Sequence, residues 1–189
     1  MADSSFCFDF EAFPMLDVLR KRSKYDGRMT SGSTITAREL ETYFALLESA
    51  ALLRYQVEQH LKTEAELSYV QFEILASLVD AGGELTMTAL ADKLVHSRSG
   101  LTHQVALLEK AGHVSRSPNP GDRRSTIVRI TGAGRSTVTA VMPGHTGIVR
   151  KMFFDQLSAD DLDALSAILP RVAQRMRDTT QARSQRPRR

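Results

Sequence analysis

The sequence predicts a mainly α-helical fold that carries one small β-ribbon. Three observations lead there. Capping-box patterns open three helical stretches, at Thr36-Ala37-Arg38-Glu39, Ser68-Tyr69-Val70-Gln71 and Ser158-Ala159-Asp160-Asp161. Two short amphipathic segments follow one another across a connection of about one turn, Val95-His96-Ser97. Beyond them the run from Asn119 to Gly134 joins a Pro/Gly reversal to β-branched residues, Thr126 to Thr131, that read as a strand.

Taken in order, residues 1–36 comprise an apolar-aromatic stretch and a polar linker. Phe10, Phe13, Leu16 and Leu19 recur at three-residue spacing, which suits either a small helix docked on the body or an unanchored terminal segment. The first long helix starts at Thr36 and runs to about Lys62, about 39 Å at 1.5 Å per residue. A second carries Phe72, Leu75, Leu78 and Val79 on one face and ends at Gly82-Gly83. Thr86 or Thr88 caps the next, with Leu90, Ala91 and Leu94 on its apolar face, and Ser97 caps its successor, with Leu101, Val105 and Leu108. Gly112 stops that helix, and Val114 to Ser117 begins a strand leading to the turn Pro118-Asn119-Pro120-Gly121. A helical region follows from Arg135 to Leu157, with a kink expected at Pro143-Gly144. The last helix, from Ser158, places Leu162, Leu165, Ile168, Leu169, Val172 and Met176 inward and bends at Pro170; the basic tail RSQRPRR is expected to be disordered.

Two short helices joined so closely match a helix-turn-helix, whose second helix offers its first polar residues to the major groove of DNA. Here those are Ser97, Arg98, Ser99, Thr102, His103 and Gln104. The ribbon carries Arg123 and Arg124 near its tip, planar cations suited to phosphates or minor-groove acceptors. Charge is distributed accordingly. Residues 86–135 hold eight basic against three acidic side chains, a net +5, which leaves −2 for the rest of a chain of formal charge +3. A polyanion is the partner such a module fits. The apolar faces of the terminal helices need a cover, and a second copy is the simplest one, giving a two-fold dimer suited to a palindromic site.

Other classes find no support in the sequence. One cysteine, Cys7, excludes internal disulfides; no apolar run reaches the roughly 18 residues of a membrane span, and no signal-peptide pattern opens the chain, so the cytoplasm is expected. The motifs of hydrolases, phosphate loops and dinucleotide sites are missing, so no enzyme and no cofactor is expected. His60, His96, His103, His113 and His145 are scattered without zinc-type spacing, and only proximity in space would make them ligands; no metal is expected.

The block from Thr86 to Arg116, the wing Asp122-Arg123-Arg124-Ser125 and the ending Ile130-Thr131-Gly132-Ala133-Gly134 together resemble the MarR family of winged helix-turn-helix transcriptional regulators. Ile130 stands where that pattern has leucine. The likeness covers roughly residues 37–180. It implies a winged module over 65–132, a dimerisation region from 37–64 and 133–180, an N-terminal extension over 1–36 and a basic tail over 181–189. It also implies that Arg124 enters the minor groove, that Asp122 orients it and that Arg123 meets phosphate. The function implied is a homodimeric, sequence-specific repressor of a palindromic operator in double-stranded DNA, relieved by a small aromatic or phenolic effector. Tyr55, Phe72, Met142, His145 and Phe153 are the residues that would line the effector's crevice, if they are not simply core. The competing expectation is an architectural DNA protein with little sequence preference.

Overall fold

Each predicted capping box forms. Thr36 Oγ1 accepts from the Glu39 N–H at 3.2 Å while the Glu39 carboxylate accepts from the Thr36 N–H at 2.7 Å. Ser68 and Gln71 make the same reciprocal pair at 3.3 and 3.0 Å, and Ser158 and Asp161 at 3.2 and 3.0 Å. Each box satisfies donors that a helix start leaves without intrahelical partners. In all three the chain turns helical within one residue of the cap.

The structure, a computed structural model, describes residues 35–94 and 98–184. The elements are α1 (Ala37–Ala65), α2 (Tyr69–Asp80), β1 (Glu84–Thr86), α3 (Met87–Leu94), α4 (Arg98–Lys110), β2 (Val114–Asn119), β3 (Asp122–Ile130), α5 (Gly132–Met152), a 3-10 turn (Phe154–Gln156) and α6 (Ala159–Ser184). The chain divides into two units, Met1–Leu52 and Leu53–Arg189. Within the first, Tyr43 and Phe44 pack their rings at 5.4 Å, and Tyr43, Leu46 and Leu47 are exposed.

The second unit holds the core. Val57 and Leu61 from α1 meet Phe72, Ile74, Leu75 and Leu78 from α2, Leu90 from α3, and Leu101, Val105 and Leu108 from α4. Val128 and Ile130 of β3 and Val138 and Val141 of α5 complete it. Each such side chain contributes about 1.5–3 kcal/mol on burial. The sheet is antiparallel in the order β1-β3-β2, with Glu84 opposite Arg129 and Val114 opposite Ile130.

Several boundaries differ from the sequence expectation. β1 was not foreseen, because three residues, Glu84-Leu85-Thr86, carry no alternation and become a strand only by pairing with β3. β3 begins at Asp122, four residues before the β-branched run, since the ladder to β2 extends almost to the turn. The helix expected from Arg135 starts at Gly132, capped by Thr131, and gives way to a 3-10 turn after Met152. Pro143 and Pro170 both lie inside helices, α5 and α6. On α6, Leu162, Ile168, Leu169, Val172 and Met176 are exposed on the single chain where sequence periodicity placed them inward, and on α2 Val79 is exposed although the sequence grouped it with the buried Phe72, Leu75 and Leu78. α6 continues to Ser184, so the first residues of the stretch expected as a disordered basic tail are helical; the N-terminal stretch containing Phe10, Phe13, Leu16 and Leu19, and the tail after residue 184, lie outside the described residues.

Candidate nucleic-acid interface

The pair α3 and α4 forms the helix-turn-helix. Thr86 caps α3, its Oγ1 accepting from the Ala89 N–H at 3.1 Å. Along α4 the spacing of four and three buries Leu101, Val105 and Leu108 completely, so the opposite face turns outward. Ser99, Thr102 and His103 are exposed on that outer side, and Gln104 is half-buried. Ser97, expected as the cap of this helix, lies outside the described residues, as do the side chains of Arg98, Arg123 and Arg124.

α4 ends where Gly112 adopts φ +78°, a left-handed conformation that costs glycine little. The His113 N–H then donates to the Leu108 carbonyl at 2.9 Å and the Gly112 N–H to that of Glu109 at 2.9 Å. This turn sends the chain into β2. At the far end of the ribbon, Asn119 Oδ1 accepts from the Gly121 N–H at 3.0 Å, an Asx turn that fixes the reversal. A register shift between Pro118 and Asn119 precedes it, and Asp122 is exposed directly after it.

The structure explains the Thr131 to Gly134 ending in physical terms. Thr131 Oγ1 donates toward the Gly112 carbonyl at 2.7 Å, with the His113 carbonyl at 3.1 Å, and accepts from the Gly134 N–H at 3.1 Å. One hydroxyl therefore joins the exit of α4, the root of β2 and the start of α5.

Among the described side chains of the basic module, Arg116, Arg129 and Lys93 are tied to carboxylates. Arg116 binds Glu109, with Nε at 2.8 Å and Nη2 at 2.5 Å from Oε2, and its own N–H reaches Oε1 at 3.0 Å. Arg129 meets Glu84 across the β1–β3 pair at 2.5 Å and donates to Ser117 Oγ at 2.7 Å. Lys93 pairs with Asp80 at 2.5 Å. The Arg116 bonds hold the Glu109 carboxyl below its ordinary range, and the Lys93 bond does the same for Asp80. Two of the neutralising groups, Asp80 and Glu84, precede residues 86–135 in the sequence and so fall outside the basic module. Their roles escaped the sequence because Arg129 and Glu84 are 45 residues apart and meet only through the sheet. Glu109 and Arg116, seven apart, are joined only by the turn at Gly112.

The residues considered for an effector crevice differ in burial and in ring partners. Phe72 is buried in the core and its ring packs on His145 at 4.9 Å; Met142 is half-buried against the same core. Phe153 packs edge-on against Phe154 at 5.3 Å, and Tyr55 lies exposed on α1. His60, weighed from the sequence only as a metal ligand, joins Phe72 and His145. Its Nε2 stands 3.0 Å from the Val141 carbonyl, which can only accept, so this nitrogen carries the proton. The ring occupies the space left by Gly144. Burial, then the neighbouring His60, pushes the His145 imidazole below its ordinary value, and its Nδ1 is buried without a hydrogen-bond partner among the described residues. Among the described residues no group of three or more His, Cys, Asp or Glu side chains is placed to hold a metal, and no helix is long and apolar enough to cross a membrane.

A helix-turn-helix whose second helix runs directly into a β-ribbon backed by a third short strand defines a winged-helix protein. Known proteins agree. The MarR family model matches residues 66–125. The chain is 32% identical to the MarR regulator Sco3205 of Streptomyces coelicolor, solved in complex with DNA, with TM-score 0.71, covering 77% of this chain and 91% of that one. With AbsC from the same organism the identity is 32% and the TM-score 0.72, over 78% of this chain and 99% of that one. The regulator PecS of Dickeya dadantii is 29% identical over 128 residues, 67% of this chain and 76% of its own length. The chain belongs to the MarR family of transcriptional regulators.

Proposed function

We propose that this regulator is a homodimer that binds a palindromic operator in double-stranded DNA, acts in the cytoplasm as a repressor, and is released by a small aromatic or phenolic effector. One observation carries the DNA reading. The face of α4 opposite the buried Leu101, Val105 and Leu108 exposes Ser99, Thr102 and His103, and the same chain continues into a ribbon that bears Arg123 and Arg124 beside its tip. A helix for the major groove and a cationic ribbon beside it suit two adjacent grooves of one duplex. The DNA complex of Sco3205, at 32% identity, supports the same assignment. In this scheme Ser97, Arg98, Ser99, Thr102, His103 and Gln104 face the major groove, Arg124 enters the minor groove with Asp122 orienting it, and Arg123 meets phosphate.

The dimer reading rests on the exposed apolar side chains of α6 and of the N-terminal half of α1, which a second copy would cover. The effector reading rests on the family resemblance and on the ring contact of Phe72 with His145, whose Nδ1 is buried without a partner among the described residues, with Met142 packed against the same core; Tyr55 and Phe153 are its other candidates.

Selection of bound duplexes from random DNA, repeated with phenolic ligands present, tests the proposal. A single palindrome preferred by about 10³-fold or more over random sequence is expected. Uniform, steeply salt-dependent affinity would establish the architectural alternative instead.

A further inference from the structure

We propose that Glu109 and Arg116 are a positioning pair that fixes the angle of the wing to the recognition helix α4, so that both reach DNA together. The proposal rests on the DNA-binding role above.

Glu109 stands in the last turn of α4, where the negative end of the helix dipole disfavours a carboxylate. Arg116 offsets that cost with three hydrogen bonds, and these are not equivalent. Two come from the guanidinium, whose fork matches a carboxylate. The third comes from the Arg116 main chain. β2 is an edge strand, so an outward N–H lacks a strand partner, and here the helix carboxylate accepts it. A bond to the backbone fixes the course of the strand itself and not only a side chain. Both partners are 35% exposed, enough shelter for fixed geometry but too little for a large contribution to folding.

Leverage makes the angle matter. From Arg116 to the tip at Gly121 is five residues, about 16 Å of extended chain. A rotation of about 10° at the root therefore moves the tip by about 3 Å, the length of a hydrogen bond. Helix and wing act as two linked contacts on one duplex, and the second gains from the first only while their separation is held.

The test reads geometry and binding separately. In a Cys7→Ser background, spin labels are placed at Leu107→Cys on the exposed side of α4 and at Gly121→Cys, where a Cβ has room. Without DNA, the distance distribution is expected to be narrow in the native pair and distinctly broader in Glu109→Gln. An unchanged distribution in folded Glu109→Gln overturns the proposal. Arg116→Lys, which keeps charge but loses the fork, serves if Glu109→Gln does not fold and is expected to broaden the distribution less. Binding is then read as a cycle: Arg124→Ala is expected to weaken operator affinity about fivefold or more in the native chain and under about threefold in Glu109→Gln. Equal losses in both backgrounds overturn the pairing of wing and helix. No loss in the native chain overturns the minor-groove role of Arg124, and the label distances alone then decide the brace.

Discussion

Gly134 lies against the main chain of His113: a Cβ built on it would stand 2.3 Å from the His113 carbonyl oxygen and 2.8 Å from Ile130 Cγ1. The obstacle is backbone, already engaged by the Thr131 N–H at 3.0 Å, so it cannot swing aside. Gly134→Ala is therefore expected to destabilise the fold by about 1–3 kcal/mol through forced displacement of α5. Gly132, two residues earlier, has nothing within 4 Å of its Cβ position, and Gly132→Ala should be neutral or stabilise by up to about 1 kcal/mol. Urea midpoints of the two variants check this, and equal midpoints would contradict it.

His145 makes stability depend on pH. Burial, and secondarily His60, holds its imidazole below the ordinary value of 6.5. The unfolded chain thus binds the proton more readily than the folded one. Stability from this group is complete above the unfolded pKa and declines as pH falls from there toward the depressed folded value. Replacement by asparagine removes the titration. Between about pH 7 and pH 5 the native chain should lose more stability than His145→Asn, as measured by denaturant midpoints. Parallel losses would exclude His145 as the source.

What could be read from the sequence was local. The capping boxes at Thr36, Ser68 and Ser158 depend on residues three apart, and all three form. The apolar spacing of Leu101, Val105 and Leu108 likewise determines the buried face of α4, and with it the outward set Ser99, Thr102 and His103. What escaped depends on the path of the chain through space. β1 exists only as a partner of β3; Arg129 finds Glu84 only across the sheet; His60 reaches Val141 only because Gly144 leaves room for its ring. Charge summed along the sequence offers Arg116 and Arg129 to a polyanion, whereas both are bound within the fold.

That distinction separates the arginines experimentally. Arg124→Ala is expected to weaken operator binding by about 1–3 kcal/mol with little change in stability. Arg123→Ala should lower the slope of log affinity against log salt by about 0.9, the loss of one phosphate contact. Arg129→Ala breaks the links to Glu84 and Ser117, so its effect should appear in thermal stability while the salt slope stays near the native value. Binding isotherms across a salt series, paired with melting curves, provide the check. A drop in slope for Arg129→Ala equal to that for Arg123→Ala would show that the ion pair opens on DNA.

The outer face of α6 supplies the last expectation. Leu169 and Val172 remain 42% and 40% exposed in the single chain, three residues apart and so on one side of the helix. Neither belongs to the core of the chain that carries them. A charge placed there should leave that core intact but face a desolvation cost wherever a second copy covers it. If the native chain forms the proposed dimer, the double variant Leu169→Glu, Val172→Glu is therefore expected to sediment as a folded monomer at concentrations where the native chain sediments as a dimer. Its operator affinity should fall by about 10²-fold or more, because two half-sites would no longer be engaged by one linked pair of modules. An unaltered dimer from the double variant would move the interface away from this face of α6.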